Sequence, residues 1–226
     1  MQVEHKVKKE LEMLLRRRGL GATLDRHRTQ GASAPAGAWD ELRGGTITEI
    51  VPEARDAAGV TSLALYLTAR HGGDEWRAWV DPQDRFDPDS AERAGLKLDN
   101  VLWLRGGTAE MALEGAQQIV QAGRFRVVVI DFLEQEKAGR LARAVWFRLL
   151  RAVEREGQAS VLVLGTQPLP GTFAERVLAV GYESTRWVGS GYVRLAGVRM
   201  RVQTVGARRG PESERRAAVR SEEFVA

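Results

Sequence analysis

The chain lacks cysteine altogether and holds only three histidines among its 226 residues. Without cysteine, neither a disulfide framework nor a thiolate metal site can form. The histidines (His5, His27 and His71) do not have the spacing of metal ligands, so no metal is expected. No apolar run approaches the ~20 residues that a membrane span needs, and no signal peptide opens the chain. We therefore expect a cytoplasmic protein without membrane contact.

The net charge of +4 is unevenly distributed along the chain. Residues 1–28 hold eight Lys and Arg against four Asp and Glu, and residues 199–220 hold seven Arg against two Glu. The last six residues contribute −2, which leaves −3 for residues 29–198. Basic ends on a mildly acidic centre indicate a nucleic acid or an acidic protein surface as a partner. A simply solvated surface explains the same charges.

Composition divides the chain into four segments. Residues 1–28 predict a basic amphipathic helix, and residues 29–44 a flexible linker that begins rich in Gly and Ala. Residues 45–205 predict the core domain. Residues 206–226 hold too few apolar groups to pack and predict a disordered basic tail. The apolar stripe of the N-terminal helix is a candidate for ordinary packing or for partner docking. Its members are Val3, Val7, Leu11, Leu14 and Leu15.

Apolar strand patterns alternate with helical patterns in the predicted core domain. The predicted strands are 46–51, 76–81, 100–104, 126–131 and 159–164, and the predicted helices are 60–70, 88–94, 108–122 and 139–155. Near-continuous apolar strands separated by helices predict an α/β fold with a mostly parallel sheet flanked by helices. Between residues 183 and 205 apolar and polar residues alternate, which predicts an antiparallel C-terminal edge.

A degenerate phosphate-binding loop follows the first predicted strand. A working loop has the pattern G-x-x-x-x-G-K-[ST], whose backbone N–H groups and lysine hold the phosphates and whose hydroxyl holds Mg²⁺. Here Ala54 replaces the first glycine and Val60 replaces the lysine, whereas Gly59 and Thr61 are retained. Further along, an apolar strand ends in Asp131, which is the form of the second nucleotide motif. We expect a nucleotide-binding fold that has lost its nucleotide chemistry, with no cofactor.

Residues 47–133 resemble the ATPase core of the RecA recombinases. Residues 78–88 (AWVDPQDRFDP) are similar to the family pattern AFIDAEHALDP. Residues 95–101, 110–114 and 127–131 are similar to its GVDIDNL, EQALEI and VIVVDS segments. The resemblance implies a RecA-like core of the P-loop NTPase class.

The departures from the RecA pattern argue against ATP hydrolysis. The glutamate that activates the attacking water in that family falls on Gln83, whose amide cannot accept the proton. The phosphate lysine falls on Val60. Thr61, Asp87 and Asp131 persist, but helix-capping or strand-end roles explain them equally well. We expect a protein that is not an enzyme. The degenerate nucleotide positions are Ala54, Gly59, Val60, Thr61, Gln83, Asp87 and Asp131.

Two short loops and a later helix indicate which RecA-like family the chain resembles. Only residues 132–138 and 165–172 stand where RecA has its long DNA-contacting loops, so they cannot line a filament interior as those loops do. A shortened RecA core without ATP chemistry, with residues 146–152 (WFRLLRA) and an arginine-rich tail, resembles the ImuA family. That resemblance implies an accessory of damage-induced (SOS) mutagenesis and translesion synthesis. Such proteins bind an ImuB-type Y-family polymerase homologue and contact RecA or DNA.

Several functions remain open from the sequence. The first is an interaction module that binds RecA and an ImuB-type partner and modulates RecA filaments. The second is a sequence-independent binder of single-stranded DNA. A SulA-like division inhibitor and a residual ATPase that uses Lys97 or Lys137 are the remaining alternatives. The candidate DNA contacts are Arg199, Arg201, Arg208, Arg209, Arg215 and Arg216.

Overall fold

A computed structural model gives the fold of the chain. It describes residues 41–54, 58–135, 141–169, 173–188, 194–207 and 220–224. The predicted N-terminal helix lies outside the described residues, together with its docking positions and most of the predicted linker.

Eight strands and four α-helices lie within the described residues. The strands are β1 (Thr46–Pro52), β2 (Trp76–Asp81), β3 (Val101–Arg105), β4 (Phe125–Asp131), β5 (Ser160–Leu164), β6 (Arg176–Val188), β7 (Arg194–Ala207) and β8 (Arg220–Phe224). The helices are α1 (Val60–Gly72), α2 (Pro88–Arg93), α3 (Ala109–Gln121) and α4 (Arg143–Glu156). A short 3-10 turn, Leu98–Asn100, precedes β3. None of the helices seen here is long and apolar enough to cross a membrane.

All eight strands form one sheet in the order β3-β2-β4-β5-β1-β6-β7-β8. The first six strands in that order are parallel, with Ile47 of β1 opposite Val161 of β5. The pairs β6–β7 and β7–β8 are antiparallel. The predicted α/β class, with a mostly parallel sheet and an antiparallel C-terminal edge, is confirmed.

Helices cover both faces of the sheet because its central strands are apolar on both faces. On one face, α3 and α4 bury Leu113, Trp146 and Leu149 against the sheet. On the other face, α1 buries Leu63 and Leu67. The central strands are buried between these two layers, and the predicted site falls on the loops at their ends.

The C-terminal residues depart from the predicted disordered tail. Strand β7 continues to Ala207, and Arg220–Phe224 form β8, in which Glu222 lies opposite Met200. The outer edge of β7 offers a row of backbone donors and acceptors, and a short antiparallel strand satisfies them. Composition alone does not reveal this pairing, because it depends on backbone groups rather than on apolar side chains.

The end of the predicted linker is anchored to the sheet. Leu42 is buried in the core, the Ser160 hydroxyl donates to the Arg43 carbonyl, and Arg176 donates to the Glu41 carbonyl. The ordered domain therefore includes residue 41, four residues earlier than the predicted boundary at residue 45.

Candidate functional site

The predicted nucleotide positions gather at one edge of the sheet. Strands β1, β2, β4 and β5 are parallel, so they end at the same edge, which we call the carboxyl edge. Gly59 and Thr61 begin α1 after β1, Gln83 follows β2, and Asp131 ends β4. Loops at such an edge form the ligand crevice of open α/β sheets. The predicted nucleotide positions therefore share one edge of the sheet, and the chemistry that is possible there depends on the individual side chains.

Gly59 has a structural reason to remain glycine. It is the N-cap residue of α1 with φ +112°, a conformation that L side chains rarely adopt. A Cβ at this position would lie 2.0 Å from Met200 Sδ and 3.1 Å from Val180 Cγ1. The next residue, Val60, is only 4 % exposed and packs in the core. The position of the phosphate lysine therefore holds a buried apolar side chain.

Replacement of Gly59 by alanine should destabilise the protein by about 1–3 kcal/mol, from backbone strain and from the collision with Met200. Urea unfolding of the variant measures the loss. Gly123→Ala is the matched control, because Gly123 has φ +66° but no atom within 4 Å of its added Cβ. Equal losses of unfolding free energy in the two variants would show that the collision with Met200 does not contribute to the destabilisation.

Glu53 is a residue of this edge that the sequence analysis missed. Its carboxylate accepts from Arg201 Nη2 at 3.0 Å and from Gln203 Nε2 at 3.1 Å. It lies over Gly181, where a Cβ would stand 1.8 Å from Glu53 Oε2. The loop after β1 is thus tied to β7 by an internal ion pair. A carboxylate directly after the first strand and next to the degenerate loop was the signal that could have revealed it.

The loop after β2 is held by hydrogen bonds that leave Gln83 exposed. Asp81 is fully buried, and its Oδ2 accepts from Phe86 N (2.8 Å) and from Trp103 Nε1 (3.1 Å). Asp84 accepts two hydrogen bonds from Arg105, both at 2.7 Å. These contacts set the loop while the amide of Gln83 faces solvent. The position of the family's catalytic glutamate therefore carries no group that can act as a base.

Asp87 is the N-cap of α2. Its carboxylate accepts from the backbone N–H groups of Asp89 and Ser90 and from the Ser90 hydroxyl. The Ser90 hydrogen bond, first of all, holds the pKa of Asp87 below its ordinary value. This capping role explains the aspartate at this position without any contact to a nucleotide. Of the other predicted positions, Thr61 is half-buried in the first turn of α1 and Ala54 is exposed.

Asp131 is buried at the end of β4. Burial raises the pKa of this carboxyl above its ordinary value, although the hydrogen bond from Leu133 N to Asp131 Oδ1 (3.1 Å) and the charge of Arg85 oppose the rise. The nearby charge of Asp81 raises it further. In addition, Asp81 Oδ1 is buried without a hydrogen-bond partner among the described residues. Two adjacent strands therefore end in buried carboxyl groups.

The raised pKa of Asp131 has a consequence for stability. Its ionised form costs stability at neutral pH, and the cost disappears below the ordinary pKa of about 3.9, where the folded and unfolded states are both protonated. Asp131→Asn keeps an oxygen for Leu133 N and removes the charge. We expect its unfolding midpoint at pH 7.5 to exceed that of the native protein by about 2–4 °C. The difference should vanish near pH 4.

The control for this prediction is Asp131→Ala, which leaves the Leu133 N–H unpaired. That variant should unfold at a lower temperature than the native protein across the pH range from 4 to 7.5. A lower midpoint for Asp131→Asn at pH 7.5 would contradict the assigned cost of the buried charge.

Among the described residues of the carboxyl edge, carboxylates outnumber cations. Six carboxylates and three arginines stand in its described loops and on the adjoining part of β7: Glu53, Asp81, Asp84, Asp87, Asp131 and Glu134, with Arg85, Arg105 and Arg201. Each arginine has its own carboxylate partner, as Arg85 has in Glu134 at 2.6 Å. A Mg²⁺–nucleotide carries several negative charges on its phosphates, so this set of side chains does not fit it.

The other predicted site residues are dispersed. Lys97 pairs with Asp74 at 2.6 Å, at the opposite edge where β2 begins, and Lys137 lies outside the described residues. Arg199 is exposed on β7, and Arg201 is engaged with Glu53. Among the candidate DNA contacts, those outside the described residues are Arg208, Arg209, Arg215 and Arg216.

Comparisons with known proteins agree with this architecture. No family model matches the chain. Protein RecA of Acidothermus cellulolyticus is 40 % identical over 91 residues, which is 38 % of this chain and 25 % of the relative. Protein RecA of Rhodospirillum rubrum is 41 % identical over 91 residues, 38 % of this chain and 24 % of the relative. The chain thus spans about a quarter of the length of these curated relatives.

A solved structure extends the likeness over most of the chain. The crystal structure of the RadB recombinase is similar with a TM-score of 0.54 and 16 % identity, over 81 % of this chain and 88 % of that chain. At this identity the likeness concerns the fold alone. Together with the RecA relatives, it establishes that the protein has a RecA-like fold.

Proposed function

We propose that the protein is a non-catalytic RecA-like accessory of damage-induced (SOS) mutagenesis and translesion synthesis. In this proposal it is a cytoplasmic member of the ImuA family that binds RecA and an ImuB-type polymerase homologue and modulates RecA filaments. The observation that carries the proposal is a RecA-like fold whose nucleotide edge holds Val60 and Gln83 in place of the catalytic lysine and glutamate. A RecA-like fold without catalytic groups can still act through surfaces that bind other proteins.

One such surface is the open edge of the sheet at β3. The order of strands leaves β3 with β2 as its only neighbour among the described residues. Its outer backbone groups are available to a further strand, the arrangement used in β-augmentation. Leu102 and Leu104 on this strand are 40 % and 37 % exposed. An edge with both free backbone groups and apolar side chains supports docking to another protein.

Phosphate release from ATP by RecA on single-stranded DNA tests the proposal, with the protein absent and present. We expect no turnover by the protein alone and a changed RecA rate when it is added. Turnover by the protein alone would contradict the non-catalytic assignment. An unchanged RecA rate would contradict filament modulation and would leave binding to the ImuB-type partner as the part of the proposal to measure.

Binding to single-stranded DNA is the second candidate. Trp187 supports it, since its ring is 57 % exposed on the β6–β7 ribbon and is therefore accessible to a base. Arg201 argues against it because Glu53 already neutralises its charge. A steep loss of DNA affinity with rising salt would favour this candidate over apolar docking to a protein.

A further inference from the structure

The outer surface of α4 carries four arginines, and three of them have no carboxylate partner among the described residues. Arg143, Arg148, Arg151 and Arg155 are all exposed on this helix. Arg155 pairs with Glu156 at 2.8 Å, whereas the other three form no ion pair with a described residue. The four side chains are distributed over about 18 Å, at 1.5 Å per residue. We call them the α4 basic face.

The first turn of α4 is electrostatically unfavourable as it stands. Arg143 is the first residue of the helix, no acidic residue occurs in that turn, and the preceding Ala142 gives no side-chain cap. A helix N-terminus has a positive partial charge, so a cation there is repelled and an anion is favoured. An acidic group placed against Arg143 from outside would relieve this repulsion.

Phe147 gives the same surface an apolar centre. It is 46 % exposed, and its ring lies edge-to-face on the buried Phe173 at 4.9 Å. On its helical position it stands between Arg143 and Arg151. An exposed aromatic ring supported from beneath and surrounded by arginines offers an apolar contact together with charge.

A cavity of about 370 Å³ borders one side of this surface. Leu150 and Phe173 supply its apolar lining, and Glu154 and Glu175 supply carboxylates. Glu154 follows Arg151 by three residues on the same stripe, so its carboxylate limits an anionic partner to the part of the surface from Arg143 to Arg151. The surface is therefore polarised, and an acidic partner can lie on it in one preferred position.

We propose that the α4 basic face with Phe147 is a docking surface for an acidic protein segment that carries an aromatic residue. The aromatic residue contacts Phe147, and the carboxylates of the segment pair with Arg143, Arg148 and Arg151. The segment lies over the part of the helix from Arg143 to Arg151, which precedes Glu154 on the same stripe. This surface begins beside the carboxyl edge, because α4 follows the loop after β4, and it is separate from the open edge at β3.

Fluorescence anisotropy tests the surface with a labelled peptide of four aspartates followed by phenylalanine. We expect the full chain to bind this peptide and the affinity to fall with rising salt, because the carboxylates pair with exposed arginines. Arg148→Glu with Arg151→Glu should weaken binding by about tenfold or more, and Phe147→Ser by about tenfold. Arg124→Glu is the matched control, since Arg124 is exposed elsewhere on the chain, and it should leave the affinity within about twofold.

Three results would overturn the proposal. The first is equal affinity in the double variant, with its fold verified by circular dichroism. The second is equal or tighter binding of a peptide of four lysines followed by phenylalanine. That result would mean that the carboxylates of the cavity, and not the arginines, bind the peptide. The third is absence of peptide binding together with binding of labelled oligothymidylate that the double variant loses, which would make the surface a nucleic-acid contact.

Discussion

Replacement of Trp146 by alanine is expected to lower the free energy of unfolding by about 3–5 kcal/mol. Trp146 is 2 % exposed and lies between Phe173, stacked at 6.1 Å, and Phe132, edge-on at 6.1 Å. It therefore joins α4 to the loop after β4 and to the segment before β6. Truncation leaves a large cavity and removes both ring contacts, and urea unfolding measures the loss.

Two companion variants make this prediction specific. Trp76 is 47 % exposed and its ring meets the edge of Phe125 at 6.4 Å, so Trp76→Ala should cost less than about 1 kcal/mol. If Trp146→Ala does not fold, Trp146→Phe measures the same site with a smaller cavity. Similar losses for Trp146→Ala and Trp76→Ala would contradict the assignment of Trp146 to the centre of the core.

Exchange of both Leu102 and Leu104 for glutamate is expected to weaken the proposed binding to RecA by at least about tenfold, equivalent to about 1.4 kcal/mol. The reason is that both side chains are exposed on the open edge at β3, where a docking strand would cover them. Charged residues on an edge strand prevent a further strand from pairing. Co-precipitation with RecA gives the affinity, and RecA-dependent phosphate release should return to its rate without the protein.

Val205→Glu is the matched control for the edge variant. Val205 is 55 % exposed on β7, six strands away from β3 in the sheet order, so the introduced charge should leave the proposed RecA binding unchanged. Undiminished binding by the Leu102 and Leu104 variant would remove the β3 edge from the proposal. The N-terminal segment of residues 1–28 would then be the docking element to test. If it docks on RecA, its deletion should abolish co-precipitation.

Much of the fold could be predicted from the sequence because buried apolar residues recur with the period of the strand or helix that holds them. The apolar run before Asp131 and the helical spacing of Trp146, Leu149 and Val153 predict their elements within a few residues. The start of α4 was predicted four residues early, at residue 139. Ala142 has ψ +134°, so the described helix begins at Arg143. A helix end depends on backbone angles that apolar periodicity does not report.

The candidate site was predicted in part. The sequence placed Gly59, Gln83 and Asp131 in one degenerate site, and parallel strands bring all three to the carboxyl edge. The sequence left the role of Asp87 undecided, and the geometry of α2 makes it a helix cap. Arg77, within β2, gave no signal at all, yet its buried guanidinium donates to the Gly73 carbonyl at 2.6 Å at the end of α1.

The amino-acid sequence by itself determined the fold class and the missing chemical groups at the nucleotide positions. Both follow from residue identity and local periodicity: Val60 has no ammonium and Gln83 no carboxylate, whatever surrounds them. Only the tertiary structure decided that Glu53 binds Arg201, which is 148 positions away. It likewise decided that β8 completes the sheet. Such contacts depend on long-range distances and backbone pairing, and neither is encoded in the pattern of neighbouring residues.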